Sequence, residues 1–193
     1  MSLADFGNAG KWVKELWTRN ISEGMLIVDA TAGNGHDTAF LARLVGASGH
    51  VFAFDIQKRA IENTRALLER EGLIDRVSLF CESHETLRKY VPSQIDAAVF
   101  NLGWLPGAEH ICTTRVHSTR AALLSALDIL KIGGFVTLCV YPGHSEGEAE
   151  KQMLLSLARE LDDKLYDVWA GGYLNIQAKP PLLIAITRRK RQN

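Results

Sequence analysis

The chain has 193 residues, 47% of them apolar and 23% charged, with 22 Lys plus Arg balancing 22 Asp plus Glu. This suits a single domain over 1–193 with a sizeable core, and it excludes an all-over basic nucleic-acid coat but not a local basic patch. The scattered Cys81, Cys112 and Cys139 suggest neither a disulfide framework nor a zinc site; no apolar run approaches the roughly 20 residues of a bilayer span and no signal h-region opens the chain, so a reduced, cytoplasmic protein is expected.

The first element is a helix at about 8–20, with Trp12, Val13, Leu16 and Trp17 on one stripe. MLIVDA (25–30) reads as a strand covered on both faces. A helix over 35–45 follows, with Phe40, Leu41 and Leu44 inward and Gly46 as its stop. HVFAFD (50–55) is the second strand. A helix over 57–71 presents Ile61, Leu67 and Leu68 and ends at Gly72. VSLFCE (77–82) and IDAAVF (95–100) are the third and fourth strands, and a long helix spans 115–131. Gly133-Gly134 leads into FVTLCVY (135–141), and a helix over 146–161 turns Met153, Leu154, Leu157 and Leu161 inward. Cys81 and Cys139 fall in strand-like runs and are expected to be buried.

The tail differs. KLYDVWA (164–170) and PLLIAITR (181–188) have no helix between them, and parallel neighbours need a long crossover. A terminal antiparallel hairpin is predicted. The fold class is therefore α/β: a doubly wound, mostly parallel seven-stranded sheet with helices on both faces, Rossmann-like in its first part.

In such sheets, ligands bind beyond the carboxyl ends of the strands at the switch point. The first strand ends in DATAGNGHDT (29–38), running from Asp29 to Thr38. Gly33 and Gly35 let backbone pass close to a ligand, and the helix that opens there offers free N–H groups. Asp55 ends the second strand 20 residues after Gly35, where a carboxylate accepts hydrogen bonds from ribose hydroxyls. An adenosine-containing cofactor is implied. Thr38 stands where a dinucleotide site needs a small residue, and no Tyr-x-x-x-Lys pair occurs. Asp37 at the helix start would repel a pyrophosphate but accept an ammonium, which favours S-adenosylmethionine over NAD. Ser83 and His84, after the third strand, either contact the adenine or cap a helix start.

The fourth strand lies beside the first across the switch point, so its end faces the reactive methyl. Methyl transfer from sulfur is an in-line displacement, in which alignment alone supplies roughly 7–11 kcal/mol. An Asn side-chain oxygen can hold an amine N–H and aim the nitrogen lone pair. An aromatic ring can stack on a planar base for roughly 1–3 kcal/mol. Asn101 and Trp104 have these chemistries, with Gly103 and Pro106 shaping the loop. The pair is similar to the Asn-Pro-Pro-aromatic motif of amino-group methyltransferases, with Leu102-Gly103 in place of the prolines. His144 after the fifth strand is either a general base or a helix-start histidine held by Glu146 or Glu148, and Tyr141 is either a substrate contact or a core residue.

The ordered set DATAGNGHDTAFLA, FDIQ, NLGWLPG, HSTRAAL, YPGHSEGEAE and NIQAKPP resembles the bacterial YtqB/MnmM-type class I methyltransferases. These are also labelled rRNA methylases and are assigned to methylation of 5-aminomethyl-2-thiouridine at the tRNA wobble position. The resemblance covers nearly the whole chain. It implies a class I methyltransferase fold that binds S-adenosylmethionine through Asn34, Asp37, Asp55, Gln57, Ser83 and His84. It also implies an acceptor pocket around Asn101, Trp104, Tyr141 and His144, a homodimer, and tRNA recognised at its anticodon region. Thr31 departs from the usual glycine of the loop, and Ile176 looks inserted before Gln177. An rRNA or small-molecule N-methyltransferase and a non-catalytic S-adenosylmethionine-binding module are the alternatives. Arg115, His117 and Arg120 are candidate RNA contacts, whereas RRKR (188–191) reads more simply as a solvated tail. No spacing of His36, His50, His110 or His117 suggests a metal.

Overall fold

The apolar runs assemble into one seven-stranded sheet in a computed structural model that describes residues 9–103, 114–173, 175–176 and 178–190. In chain order the elements are α1 (Ala9–Asn20), β1 (Leu26–Asp29), α2 (His36–Leu44), β2 (His50–Phe54), α3 (Lys58–Arg70), β3 (Val77–Phe80), β4 (Ile95–Leu102), α4 (Val116–Ile129), β5 (Leu130–Val140), α5 (Ser145–Glu160), β6 (Tyr166–Gly171) and β7 (Leu182–Arg188). Short 3₁₀ turns at Ile74–Arg76 and His84–Lys89 flank β3. The strand order is β3-β2-β1-β4-β5-β7-β6. β1 to β5 are mutually parallel, and β7 is antiparallel to both β5 and β6. The chain thus reverses direction across the sheet between β1 and β4, which opens the ligand crevice beyond their carboxyl ends.

Side-chain parity decides what faces that crevice, because neighbours along a strand point to opposite faces. Ile27, Ala97 and Val99 pack with Val13, Trp17, Leu41 and Leu68 of α1, α2 and α3. Val28, Ala98, Phe100 and Leu138 pack on the other face with Leu123 and Leu127 of α4 and Leu154 of α5. Asp29, Asn101, Cys139 and Tyr141 share the parity of the first set, so they belong to the α1–α2 side. α1 is fastened to that side by the buried bond from Trp17 Nε1 to Thr137 Oγ1, 2.9 Å long.

Several sequence boundaries shift. The fourth strand does not stop at Phe100: Asn101 pairs with Cys139 and Leu102 with Val140. A polar residue near a strand end reads as a terminator in sequence, but here the ladder continues through it because Asn101's side chain faces the crevice. The long helix ends at Ile129, and β5 begins at Leu130. Ile95 pairs with Leu130 and Ala97 with Phe135, so the residues around Gly133-Gly134 form a bulge within the strand, not a lead-in to it. β3 ends at Phe80, and Cys81 is exposed, not buried.

The start of α4 is bolted to α5. Glu150 is buried, and its carboxylate accepts hydrogen bonds from Thr114 Oγ1 at 2.7 Å and Thr119 Oγ1 at 2.5 Å. Glu146 Oε1 accepts from the Val116 N–H at 3.2 Å. Burial raises the Glu150 pKa, with the two threonine bonds opposing. Glu150→Ala strands two hydroxyls. The expected loss is about 2–3 kcal/mol, or a fall of roughly 4–12 °C in Tm at this chain length, measurable by thermal denaturation.

Candidate active site

The turn after β1 and the end of β4 are stitched together at the switch point. Thr31 Oγ1 accepts the Asn101 backbone N–H at 2.7 Å. The Asn101 amide Nδ2 donates to Asp37 Oδ2 at 3.0 Å. Lys14 Nζ lies 2.9 Å from the other oxygen of Asp37. Asp37 sits in the first turn of α2, where a carboxylate also suits the positive end of the helix. An amide bonded through its nitrogen to a carboxylate has its orientation fixed, so Oδ1 remains as the acceptor.

Beneath this lies Asp29, 1% exposed. Its carboxyl is bonded by Thr38 Oγ1 at 2.7 Å and by the Thr31 N–H at 3.1 Å. Burial pushes its pKa up to about 7, and the charges of Asp37 and Asp55 add to the rise; the bonds from Thr38 and Thr31 oppose it. The folded state therefore holds this proton more tightly than the unfolded chain. Its stabilising effect is full below the unfolded pKa of about 3.8 and is lost as pH rises through about 7. Asp29→Asn removes that ionisation while keeping one acceptor and one donor. The expected result is a Tm above wild type at pH 8 and little difference at pH 4, read from melting curves of both proteins across that range.

The glycine turn is held by Asp55. Its Oδ2 accepts the Gly33 N–H at 3.0 Å and its Oδ1 the Gln57 N–H at 2.9 Å. Burial raises the Asp55 pKa, and these backbone bonds counter it. Thr64 Oγ1 donates to Gly33 O at 2.9 Å, and Asn63 Nδ2 donates to Asn34 Oδ1 at 3.0 Å. Gly35 has a φ of 84° and caps α2. A Cβ there would stand 2.8 Å from Thr64 Cα. Gly33, Asn34, Gly35, Asp55 and Gln57 thus form one wall beside Asp29, Asp37 and Thr38.

Ser83 caps the 3₁₀ turn that follows β3, accepting the Glu85 N–H at 3.4 Å. His84 is buried, with its Nδ1 3.0 Å from Ala30 O and its ring edge-on to Phe100. Its Nε2 has no hydrogen-bond partner among the described residues. Burial lowers its pKa, against the Ala30 bond and the charges of Glu85 and Asp55.

On the other side of Asn101, the ring of Tyr141 lies over Gly103, 3.7 Å from where a Cβ would stand. Burial pushes the Tyr141 phenol up, aided by Cys139, so it remains a hydrogen-bond donor at neutral pH. His144 is the N-cap of α5, and its Nδ1 accepts the Gly147 N–H at 3.1 Å. The expected partners Glu146 and Glu148 are therefore not what the ring holds through that nitrogen. Trp104, Pro106, His110 and Gln177 lie outside the described residues. Arg115, His117 and Arg120 are exposed at the start of α4, with His117 3.5 Å from Glu85. Arg188 pairs with Tyr166 at the far edge of the sheet, and Arg189 is bonded to Asp167. The basic tail thus begins at the edge opposite Asn101. No group of His, Cys, Asp and Glu among the described residues could hold a metal, and none of their helices is long and apolar enough to cross a membrane.

Sequence reasoning singled out most of this wall but passed over three residues. Thr31 was visible only as a departure from glycine. Lys14 sits outside every motif, and Thr64 lies on α3 with no local signal; only the tertiary fold brings them in.

Residues 51–187 match the model of the family described as "Putative rRNA methylase". The chain belongs to this rRNA methylase family. A structure of the same description from Clostridium thermocellum has a TM-score of 0.91 and 40% identity, with 94% of this chain and 97% of that one covered. A "putative methyltransferase" from Streptococcus mutans in complex with SAH has a TM-score of 0.85 and 34% identity, over 94% and 98% of the two chains. The chain is also similar to the chloroplastic tRNA (mnm(5)s(2)U34)-methyltransferase of Arabidopsis thaliana, at 38% identity over 149 residues, or 72% of this chain. It spans 54% of that relative's length. This chain has the α/β class I methyltransferase fold, with an antiparallel β5-β7-β6 end.

Proposed function

We propose that this protein is an S-adenosylmethionine-dependent N-methyltransferase that methylates the amine of 5-aminomethyl-2-thiouridine at the tRNA wobble position. The observation that supports it most directly is the Asn101 amide, fixed at the switch point by Asp37 at 3.0 Å with its oxygen left to accept an N–H. The relative from Arabidopsis bears a name for this chemistry on U34 of tRNA.

The residues fit the cofactor. Each oxygen of Asp55 accepts one backbone N–H and retains a lone pair for a ribose hydroxyl. His84 Nε2, buried without a partner among the described residues, offers a polar atom to the adenosine. Asp37 suits the ammonium of the methionine end. When bound, S-adenosylmethionine supplies an electrophilic methyl on a sulfonium.

The chain's own residues then align the acceptor. Asn101 Oδ1 accepts one N–H of the neutral amine and turns the lone pair toward the methyl. With S-adenosylmethionine bound, the amine held by Asn101 would take the methyl, the sulfur keeping the bonding pair, and release a proton to solvent. Asn101 is uncharged and removes no proton, so the acceptor enters as the free amine. Tyr141, held protonated, donates a hydrogen bond from the β5 side. Trp104, outside the described residues, is assigned to the base from its motif alone, as an aromatic suited to stacking. His144 would act as a base through Nδ1 only after releasing Gly147. We extend the proposal to a cytoplasmic homodimer recognising the anticodon region.

Calorimetry with S-adenosylmethionine and with NADH tests the cofactor: binding of the first alone is expected, and preference for NADH overturns it. Nucleoside mass analysis of tRNA from a deletion strain tests the acceptor. Accumulation of the unmethylated aminomethyl nucleoside is expected. Unchanged tRNA nucleosides, with a missing methyl on rRNA, would transfer the activity to rRNA.

A further inference from the structure

We infer that Lys14 of α1 is a positioning residue for methyl transfer, acting through Asp37 to hold the Asn101 amide in its acceptor-facing orientation. The inference rests on the proposed role of Asn101. Lys14 belongs to none of the motifs from which the site was read, and α1 precedes the first strand of the sheet.

Four observations converge. Lys14 Nζ is 2.9 Å from Asp37 Oδ1, while Asp37 Oδ2 accepts from Asn101 Nδ2 at 3.0 Å. The two oxygens of one carboxylate thus join α1 to β4. The Lys14 ammonium also lies 5.5 Å from the centre of the Phe40 ring, one turn further along α2, so the same side chain is anchored at two points on that helix. Asp37 is the sheltered partner, its side chain 19% exposed against 38% for Lys14. α1 itself is pinned by the buried Trp17–Thr137 bond, one turn from Lys14, so the ammonium is presented by a fixed element.

The physical consequence concerns rotation. Asp37 stands in the first turn of α2, where unpaired backbone N–H groups attract a carboxylate. Lys14 opposes that pull by holding Oδ1 outward, which leaves Oδ2 aimed at Asn101. Without the ammonium, the carboxylate is free to turn to the helix N–H groups and the amide loses its only described side-chain anchor. A freed amide samples both flips. In one of them Nδ2–H points at the acceptor amine, which then faces a donor where it needs an acceptor. The freed amide acts on turnover, while the change at Asp37, which also serves the cofactor's ammonium, acts on affinity; saturating S-adenosylmethionine separates the two.

The test uses the full chain and Lys14→Met, which keeps an apolar stem over Phe40, with Lys14→Arg as the conservative variant. The first readout is the side-chain amide of Asn101 by ¹⁵N NMR, assigned by its disappearance in Asn101→Ser. The bound amide is expected to have two well-separated proton shifts in wild type and Lys14→Arg, and shifts collapsed toward those of free asparagine in Lys14→Met. An unchanged Asn101 signal in a folded Lys14→Met protein overturns the inference, whatever the acceptor. The second readout is kinetic. Lys14→Met is expected to lower kcat about 5–20-fold at saturating S-adenosylmethionine. Lys14→Arg should recover at least half of the activity. In an Asn101→Ala background, Lys14→Met should cost nothing further; fully additive losses overturn it. If wild type turns over no aminomethyl tRNA, the acceptor reading fails while the NMR result still decides the role of Lys14.

Discussion

Asn101→Ala is expected to lower kcat on the aminomethyl acceptor by about 100-fold or more, while S-adenosylmethionine binds within about threefold of wild type. The magnitude follows from the kind of work the amide does. It neither donates nor removes a proton; it fixes the direction of a lone pair, and a misplacement of about 1 Å in such a geometry costs on the order of 10²-fold. The cofactor should be spared. The alanine keeps the backbone N–H that Thr31 Oγ1 holds at 2.7 Å, so the β4 end and the β1 turn stay joined. Asp37 keeps Lys14. Calorimetry and single-turnover methylation of the same preparation separate the two quantities. Equal loss of both would mean that Asn101 shapes the cofactor site and does not align the acceptor.

Gly35→Val is expected to abolish measurable cofactor binding and to destabilise the domain by roughly 2–5 kcal/mol. Two costs add. A side chain at a φ of 84° is strained by about 1–2 kcal/mol. The new Cβ would also stand 2.8 Å from Thr64 Cα, which is backbone of α3 and cannot swing aside; overpacking of this kind costs about 1–3 kcal/mol. Relief requires α3 to move away, carrying with it the Thr64 hydroxyl that donates to Gly33 O and loosening the turn that Asp55 grips. Gly72→Ala is the matched control. Its φ is 66°, but nothing lies within 4 Å of the added carbon. It should lower Tm by only a few degrees and leave cofactor binding intact. Comparable Tm losses in both variants would assign the effect to backbone strain alone.

These outcomes turn on residues that were unevenly visible in the sequence. Alternation of apolar runs and amphipathic stretches was enough to count the strands and to foresee the antiparallel end, because too few residues link Gly171 to Leu182 for a crossover. The wall formed by Asp29, Gly33, Gly35 and Asp55 was legible because its chemistry is local: a strand, a tight turn and a carboxylate at fixed spacing. What escaped was set by tertiary approach. Asn101 read as the end of a strand, yet its pairing with Cys139 is a property of the neighbouring strand. The Gly133-Gly134 bulge read as a lead-in to the fifth strand, because a bulge and a strand entry use the same residues. His144 was weighed as a base or a partner of Glu146 or Glu148, whereas its Nδ1 is engaged by a backbone N–H three residues on. Lys14 and Thr64 gave no signal, and Glu150 entered only as the last residue of YPGHSEGEAE with no role attached, since a buried carboxylate or a clasping lysine looks like any other charged helical residue until the fold assembles.

The reversed direction of β7 has a consequence for how such a molecule diversifies. Leu182 stands beside Val140, so the connection between the last two strands emerges next to the reaction centre, whereas an additional parallel strand would deliver its entry segment to the remote rim. Among its described residues that connection holds no helix, so it can lengthen, shorten or change composition without unthreading the sheet. On the proposed function, selectivity among acceptors can therefore be rewritten there while donor capture, built from the opposite half of the sheet, stays untouched.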